Sequence, residues 1–541
     1  MTFATCVNVS CLRCSAWEHL EDCSLALPYL VTGRWLVSSA QDVRSDAGVV
    51  VAGQRVLDVG TTARLSASYP DLEVIGGEDA AVLPGFVNAH HHCYGVPLAN
   101  HGTADDFLEP WMFANLGHRS LPQEMATAFS AAQMIRSGVT AVVDMCSAGD
   151  SAESLERSVG AKASAYRKVG MRAAIAPGER WKNRVVLSEG KEQQFLSMLP
   201  AELRRRFLNV QSRRRRLSPD DYVATIERLA AEYDGDSLVS VWYGPTAPHW
   251  TLDDTLRRIA AVSLQSGVRV QTHALESYYE SLESLGPNGH GVLQDLEALG
   301  LLGPRLSLAH MVWTPQEDME RIALSGAQIC CNPSSNLRLR SGISPASQFK
   351  DYGIPMALGM DGTSLADDDD MFAEMRLMLN LARSPDQRAP YLTPGDVFEA
   401  ATQSGAKVLG MEAEVGRLEP GAYADIVVID INHVTRPWLD PDVDPLSLIL
   451  AKATARDVRH VVVDGEFRLR DGVVLGLDVD KLHDEMSEAM NESDGRQEER
   501  AVAAELRPHL LKWYAKREVE LAATHQDGCR IYDSNVSRMA S

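Results

Sequence analysis

Short apolar segments alternate with helix-length amphipathic stretches through the middle of this chain, and this alternation restricts the possible folds more than any other feature. Strands that alternate with helices pair in parallel and form an open sheet or a barrel. Eight such segments can be placed, and eight is the number of strands in a closed barrel. The sequence therefore predicts an α/β fold with a (β/α)₈ TIM-like barrel, with candidate strands at residues 83–89, 140–144, 172–176, 238–242, 268–272, 306–309, 328–331 and 355–358.

The regions on either side of the barrel are rich in β-branched residues and polar turns. Short β-branched runs occur in residues 30–83 and return in residues 412–478. Two β-rich regions around a different middle predict one small β-sandwich domain built from both ends of the chain, with a catalytic barrel at 84–411. Residues 1–29 form an N-terminal extension, and residues 479–541 are predicted to form a helical extension that packs outside the barrel or at a subunit contact.

The charge of the chain limits its partners. It has 74 acidic and 52 basic residues, a formal charge of −22, which opposes phosphate backbones and anionic membrane surfaces. We therefore expect a small-molecule substrate and no nucleic acid or membrane partner. The arginines at 204–206 and 213–216 are a local exception and an anion or RNA patch in principle. No aromatic residues alternate with them for base stacking, so they are interpreted as a solvated surface of a long insertion at about residues 180–236.

Targeting signals and cysteine usage favour a cytoplasmic protein. No window approaches the ~20 apolar residues of a membrane span, and the N-terminus lacks the pattern of a signal peptide. The nine cysteines include the adjacent pair Cys330 and Cys331, which does not resemble a disulfide framework, so reduced thiols are expected. Cys11 and Cys14 form an isolated CxxC, which is a weak indication of a metal or redox site.

Three consecutive histidines follow the first barrel strand. Side chains alternate between the two faces of a strand, so His90 and His92 point one way and His91 the other. At the carboxyl end of a barrel strand, two imidazoles reach the mouth where barrel active sites lie. The segment alone would also fit a surface turn.

Two later strands end in residues that complete a metal site. His273 closes the fifth strand, and Asp361 follows the eighth. Taken singly, His273 could be an ordinary histidine of the core, and Asp361 could be the N-cap of a helix. Together with His90 and His92 they form a donor set of three imidazoles and one carboxylate, which suits one divalent transition metal, with Zn²⁺ preferred and Fe²⁺ the alternative.

The segments PGFVNAHHH, QTHALES, LSLAH and ALGMDGTS together resemble the amidohydrolase superfamily, in particular its deaminase and chlorohydrolase branch, over roughly residues 30–478. The resemblance implies that His90, His92, His273 and Asp361 are the metal ligands. It also implies a single metal, because binuclear members carry a lysine after strand four and residues 240–249 contain none. Relatives of this kind are commonly homodimers or larger homo-oligomers, and we expect the same here.

The resemblance assigns further site residues. Glu276 lies three positions after His273, the spacing at which family deaminases place a general acid/base, and it would move a proton to the substrate. His310 matches the strand-six histidine near the attacking water or substrate, where it could polarise a developing oxyanion, and either it or Asp361 would remove a proton from water. His249, in an APH segment, and Trp111 are candidate substrate-binding residues.

Residues around these positions have simpler interpretations. Cys93 is expected to pack or gate the site, because no separate base stands at a recognisable spacing from it. The acidic run from Asp367 to Asp370 precedes helical sequence and is predicted to cap that helix. Residues 332–336 are rich in turn formers and are treated as scaffold.

These assignments predict a metal-dependent hydrolase. Activated water would attack an sp² carbon of an aminated or halogenated N-heterocycle, such as a purine, pterin, pyrimidine or s-triazine. An open-chain urea, carbamate or thiocarbamate is the alternative substrate class, and the 180–236 insertion would then reshape the pocket. A non-catalytic scaffold of the same superfamily is a remote alternative, because such proteins have lost metal ligands that this chain retains.

Overall fold

A computed structural model describes residues 27–284, 290–362, 364–492 and 496–524. Most of the predicted N-terminal extension, including Cys11 and Cys14, lies outside the described residues. The strands are β1 Tyr29–Ser39, β2 Asp42–Ala52, β3 Arg55–Thr61, β4 Glu73–Pro84, β5 Phe86–His91, β6 Val139–Ser147, β7 Arg172–Gly178, β8 Val239–Val241, β9 Val270–Ala274, β10 Leu306–His310, β11 Gln328–Cys331, β12 Met356–Leu358, β13 Ile426–Asp430, β14 Val458–Val463, β15 Glu466–Arg470 and β16 Val473–Val474.

Strands from both ends of the chain share one eight-stranded sheet. Its order is β16-β15-β14-β13-β4-β1-β2-β3, so β13 pairs with β4 across the whole barrel insertion. The sheet folds over an apolar cluster that includes Val31, Val49 and Ile426, and the rings of Tyr29 on β1 and Phe467 on β15 are 5.2 Å apart. The predicted sandwich built from both ends is confirmed.

The remaining eight strands form the barrel. They build two parallel four-stranded sheets, β5 to β8 and β9 to β12. A parallel bridge between Tyr243 and Val270 joins the sheets on one side, and one between His91 and Asp361 joins them on the other. The predicted (β/α)₈ fold is confirmed, with one difference at its start. Residue Leu83 belongs to β4 of the sandwich, and the chain enters the barrel only after Gly85, whose N–H donates to the Asp425 carbonyl.

Helices surround the barrel and follow ordinary end signals. In α4, for example, Ser151 and Ser154 form a reciprocal capping box, Leu155 and Tyr166 face the core, and the left-handed Gly170 ends the helix. The helices are α1 Thr62–Ser68, α2 Leu108–Ala114, α3 Gln123–Arg136, α4 Ala152–Val169, α5 Glu192–Met198, α6 Ala201–Ser212, α7 Pro219–Glu232, α8 Asp253–Ser266, α9 Tyr278–Ser284, α10 Val292–Ala298, α11 Gln316–Ser325, α12 Pro333–Arg338, α13 Ala346–Asp351, α14 Met371–Leu381, α15 Pro394–Ala400, α16 Gln403–Leu409, α17 Pro445–Lys452, α18 Val479–Glu492 and α19 Gln497–Thr524. Short 3₁₀ turns lie at Leu98–His101, Asn115–Gly117, Pro248–Trp250 and Ala455–Asp457.

The C-terminal helices pack against the barrel domain. Helix α18 contacts α3, and α19 contacts α2, α6 and α9. Leu510 and Trp513 of α19 are buried in a second apolar cluster with Phe113, Phe195 and Phe207 of α2, α5 and α6. We call α2, α5, α6 and α19 the cap layer. None of the helices in the described part of the chain has the length and apolar character required to cross a membrane.

Candidate metal centre and active site

The barrel mouth brings the predicted ligands together. His92 Nε2 lies 3.0 Å from Asp361 Oδ1 and 3.3 Å from His273 Nε2, and His90 Nε2 lies 3.6 Å from Asp361 Oδ1. His310 Nε2 lies 3.9 Å from Asp361 Oδ2. His310, the last residue of β10, with φ 74°, and Asp361, three residues after β12, with φ 54°, both adopt the left-handed backbone conformation. This uncommon conformation fits a functional site, where backbone strain tends to concentrate.

All four histidines present the same nitrogen to this centre, because the other nitrogen is engaged. Two of the Nδ1 atoms face side-chain amide oxygens: His90 faces Gln271 Oε1 at 2.8 Å, and His310 faces Asn336 Oδ1 at 2.8 Å. The other two face backbone carbonyls: His92 faces that of Met145 at 2.9 Å, and His273 faces that of Thr246 at 2.5 Å. A carbonyl or amide oxygen only accepts, so each Nδ1 donates a proton and each neutral Nε2 keeps a lone pair.

The amide of Gln271 is fixed by its own partners. Its Nε2 donates to the Ala89 carbonyl at 2.8 Å and to Ser307 Oγ at 3.2 Å. The Ala89 carbonyl requires a donor, so the amide oxygen must face His90. Gln271 therefore sets the tautomer of His90.

A similar chain sets the tautomer of His310. Ser344 Oγ donates to the His310 carbonyl at 2.8 Å, so it can only accept from Asn336 Nδ2 at 3.0 Å. The Asn336 oxygen then faces the His310 ring. Neutral His310 consequently offers an acceptor at Nε2 and cannot donate there until it is protonated. The expected polarisation of an oxyanion by His310 thus requires prior proton uptake.

The residues fit a divalent transition metal. The Nε2 atoms of His90 and His310 are buried and have no hydrogen-bond partner among the described residues. The triads His90–His92–Asp361 and His90–His273–His310 each place their ligand atoms within 4.8 Å of one another. Imidazole nitrogens and a carboxylate are ordinary ligands of Zn²⁺, and orphaned buried lone pairs are costly unless a cation or a donor meets them.

Protonation states also favour a cation. Burial, reinforced by the neighbouring histidines, lowers the pKa of His90 well below its usual value and lowers that of His273 to about 3. Burial opposes ionisation of Asp361, but the charge and hydrogen bond of His92, with His310 and His90, outweigh it and hold its pKa well below the ordinary range. These shifts favour neutral rings at His90 and His273 and an ionised carboxylate at Asp361, the forms that bind metal.

Glu276 lies on the other side of His310, with Oε2 3.7 Å from His310 Nε2. Burial, and then repulsion by Asp361, Glu280 and Glu109, raise the pKa of Glu276 well above its usual value. Glu280 accepts from the backbone N–H groups of Leu275 and Glu276, both at 2.8 Å, and so fixes the turn that carries Glu276. Two carboxyls whose pKa values are shifted in opposite directions thus face the same centre.

The two predicted substrate-binding residues lie in different places. Trp111 of α2 lines the cavity above the metal centre. His249 is not among the lining residues; its Nδ1 lies 3.3 Å from Glu280 Oε1, behind the Glu276 turn. The adjacent Trp250 lines the cavity instead.

His91 points away from the centre into a buried polar chain. Its Nε2 lies 3.3 Å from Asp369 Oδ1, and its Nδ1 faces Cys93 Sγ at 3.2 Å. Cys93 Sγ in turn lies 3.1 Å from Tyr166 OH. Tyr166 and Lys162 both donate to Asp144 Oδ2 at 2.8 Å. Cys93 is buried within this series of polar contacts, which agrees with the expected packing role.

The acidic run after Asp361 is used locally. Asp370 is the N-cap of α14 and accepts from the N–H groups of Phe372 and Ala373, which confirms the capping prediction. Asp367 pairs with Arg338, and Asp369 pairs with His91. Residues 332–336, treated as scaffold, also take part in the site, because Ser335 donates to Asp361 Oδ2 and Asn336 accepts from His310.

A cavity of about 790 Å³ extends from the metal centre toward the cap layer. The interpretation of the insertion arginines as solvated surface is right for residues 204–206: Arg205 pairs with Glu202, and Arg206 pairs with Glu498 and Glu505. It also holds for residues 213–215, which are exposed, but it does not anticipate that all four arginines at 213–216 line the cavity. They follow α6, and the packing of α6 on α19 places them at the mouth of the barrel.

Comparison with known proteins gives a consistent result. The model of the Amidohydrolase family matches residues 81–468. A 5-methylthioadenosine/S-adenosylhomocysteine deaminase of Syntrophobacter fumaroxidans is 29% identical over 460 residues, covering 84% of this chain and 95% of that protein. An 8-oxoguanine deaminase of Pseudomonas aeruginosa is 30% identical over 464 residues, covering 82% of this chain and 94% of that protein.

Solved structures share the fold. An adenosine deaminase from Xanthomonas campestris with bound zinc superposes with a TM-score of 0.69 at 24% identity, covering 86% of this chain and 98% of that one. An atrazine chlorohydrolase from Arthrobacter aurescens complexed with zinc gives 0.68 at 19% identity, covering 85% and 100%. The match to the family model spans most of the chain and includes every residue of the centre. The chain belongs to the amidohydrolase family.

Proposed function

We propose that this chain is a mononuclear metal-dependent deaminase that removes an exocyclic amine from a purine-type N-heterocycle. One divalent transition metal, Zn²⁺ in preference to Fe²⁺, would be held by His90, His92, His273 and Asp361. The fixed tautomers and the ionised carboxylate support this ligand set. The lack of a lysine in residues 240–249 supports a single metal.

The observation that carries the proposal is the pair of unlike carboxyls at one centre. The pKa of Asp361 is lowered by the neighbouring histidines, whereas burial and the nearby carboxylates raise the pKa of Glu276. Two carboxyls whose pKa values are pushed apart are a signature of acid/base catalysis. A protonated carboxyl suits amine release, because a ring nitrogen must gain a proton as water adds to the adjacent carbon.

The chain's own groups supply the proton transfers. When bound, the metal lowers the pKa of water and makes it nucleophilic near neutral pH. His310 Nε2, an acceptor in the neutral ring, and Asp361 are placed to take the proton that the water gives up. Glu276 donates its proton to the ring nitrogen of the substrate, and protonated His310 can then donate to the departing amine. As the C–N bond breaks and the carbonyl forms, ionised Glu276 takes up the proton of the added hydroxyl. Trp111 and Trp250 shield the apolar faces of the ring from water.

Deamination is favoured over the release of halide from a heterocycle and over the hydrolysis of an open-chain urea or carbamate. The relatives that align over more than four-fifths of the chain at 29–30% identity bear the names of deaminases of purine compounds. The atrazine chlorohydrolase, at 19% identity, supports only a shared fold. No contact in the described residues favours an open-chain urea or carbamate. Homo-oligomeric assembly and the cytoplasmic location stay predictions.

The test is turnover by zinc-loaded protein on adenine and guanine compounds, with N-aryl ureas as the comparison, measured as ammonia or aniline released. The Glu276→Gln variant should keep its metal and lose at least ~10²-fold in kcat, because shape is retained and the proton is lost. Glu374→Gln is the matched control: Glu374 is also a buried carboxyl, with a pKa raised by burial to about 8, but it lies outside the cavity and accepts from the Ser334 N–H. Release from ureas alone, or undiminished turnover in Glu276→Gln, would contradict the proposal.

A further inference from the structure

The cavity has two chemically different halves. Its inner end holds His92, His273, Glu276 and Asp361. Its outer half is lined by an arginine collar, which comprises Arg119, Arg180, Arg496 and the four arginines at 213–216. Asp150 and Glu179 are the carboxylates that line this outer half within the described residues, and Lys162, which also lines the cavity, is neutralised by Asp144 at 2.8 Å.

Most of the collar has no carboxylate partner. Among the residues that the structure describes, ion pairs form only between Arg216 and Glu179 at 3.3 Å and between the largely exposed Arg213 and Glu499 at 3.9 Å. Arg119 donates to the Met490 carbonyl, and Arg496 donates to Ser120 Oγ at 3.2 Å, so both use neutral acceptors.

Arg180 is a third arginine of the collar that has no carboxylate partner within salt-bridge distance among the described residues. Its guanidinium contacts Met112 Sδ at 3.3 Å and lies over the Trp250 ring, and it forms no salt bridge with the described residues, although the charge of Glu179 partly offsets its own. Burial, followed by the charge of Arg216, lowers the pKa of Arg180 to about 10, and Arg216 Nε is itself buried without a hydrogen-bond partner. Guanidinium groups gathered in this way repel one another, and an anion in the cavity relieves that cost.

The collar also contrasts with the rest of the molecule. The chain carries a formal charge of −22, so a cluster of seven arginines at its catalytic cavity is not an average property of its surface. A positively charged cleft attracts and orients small anions, and guanidinium groups bind phosphate and carboxylate oxygens through paired hydrogen bonds. Met112 of α2, the segment that follows α6 and Arg496, which precedes α19, contribute to the lining of this half of the cavity.

We propose that the arginine collar binds an anionic oxygen group, a phosphate or carboxylate, attached to the heterocycle that reacts at the metal centre. This inference rests on the proposed function and specifies its substrate class. The base lies at the inner end between Glu276 and the tryptophans, and the charged substituent extends to the collar. A cavity of about 790 Å³ lies in the upper part of the range for small-molecule sites and has room for both.

The experiment compares substrates that share a base and differ in charge. The kcat/KM of zinc-loaded protein is measured for adenosine, adenosine 5′-monophosphate and adenosine-5′-carboxylic acid, at low and at high ionic strength. We expect at least one anionic substrate to exceed adenosine by about tenfold or more, roughly the effect of one charge-assisted hydrogen bond, and the ratio to fall with added salt. If only the monophosphate shows the higher kcat/KM, the collar binds phosphate, and if only the carboxylic acid shows it, the collar binds carboxylate.

Two double variants localise the effect. Arg214→Gln/Arg215→Gln changes two collar arginines that are exposed and have no ion pair in the described residues, so the fold should be retained. It should lower the ratio of anionic to neutral kcat/KM about tenfold and weaken pyrophosphate binding to the metal-free protein in calorimetry. Arg204→Gln/Arg205→Gln, the matched control in α6 outside the cavity, should change neither.

The failures of the two proposals are distinguishable. Amine release with equal kcat/KM for adenosine and both anionic substrates would overturn the collar proposal and leave the deaminase intact. Pyrophosphate binding that is equal in wild type and Arg214→Gln/Arg215→Gln would also overturn it. Absence of amine release from every heterocycle would refute the proposed function, whereas the calorimetric comparison would still test the collar.

Discussion

Gln271 provides the sharpest test of how the metal centre is organised. It is fully buried, and its amide accepts from His90 and donates to the Ala89 carbonyl. A Gln271→Leu variant keeps a similar volume but leaves both groups without their partner. At about 1–3 kcal/mol for each unsatisfied group, the free energy of unfolding of the metal-free protein should fall by about 2–6 kcal/mol. Because His90 is no longer held in the ligating tautomer, zinc affinity should fall about 10–100-fold.

Gln328 offers a matched control in the same barrel. It is also buried, on β11, and its Nε2 donates to the Pro304 and Gly326 carbonyls, but it contacts no histidine. Gln328→Leu should destabilise the metal-free protein by a similar amount and leave zinc affinity unchanged. Affinity is measured by competition with a chromogenic chelator, and stability by guanidinium unfolding. Wild-type zinc affinity in Gln271→Leu, or an equal loss in both variants, would refute the role given to the amide.

Elemental analysis should approach one transition metal per chain, and His92→Ala or Asp361→Ala should lose both metal and turnover; two equivalents, or full occupancy in both variants, would contradict the ligand set. Glu109→Gln should flatten the pH dependence of stability. Burial raises the pKa of Glu109 from 4.5 to about 7, so the folded chain keeps a proton that the unfolded chain releases, and the free energy of unfolding falls as pH rises between about 5 and 7. Removing the carboxyl should abolish up to about 3 kcal/mol of that fall, and parallel urea-denaturation curves for wild type and variant at pH 5 and pH 8 would exclude the effect.

The barrel and its ligand positions could be predicted because each depends on local sequence. An apolar run that ends in His, as at His273, predicts both the strand and the face of that strand on which the histidine lies. The start of the barrel is harder to predict from the sequence, because Leu83 and Phe86 belong to one continuous apolar run although they lie in different sheets. Only the Gly85 N–H bond to the Asp425 carbonyl, far away in sequence, marks the change.

The groups that orient the ligands could not be predicted in the same way. Gln271 lies two residues before His273, on the same face of β9, yet an amide at that position has no pattern that separates it from an ordinary strand residue. The arginines at 213–216 look solvated by composition, and only the packing of α6 on α19 places them at the cavity. Both positions depend on packing between segments that are far apart in the sequence, and local sequence patterns do not contain that information.

The bridge between His91 and Asp361 also bears on how the barrel stays closed. It lies at the seam where the first strand, β5, meets the last, β12, and the N–H groups of Met360 and Asp361 donate to the His90 carbonyl across it. Three of the four proposed ligands, His90, His92 and Asp361, belong to the two sides of this seam. A bound cation would therefore join chain segments about 270 residues apart and act as a cross-link that limits the entropy gained when the ring opens. Metal occupancy and ring closure would then be coupled, so loss of the ion would weaken this seam as well as the catalytic end of the barrel.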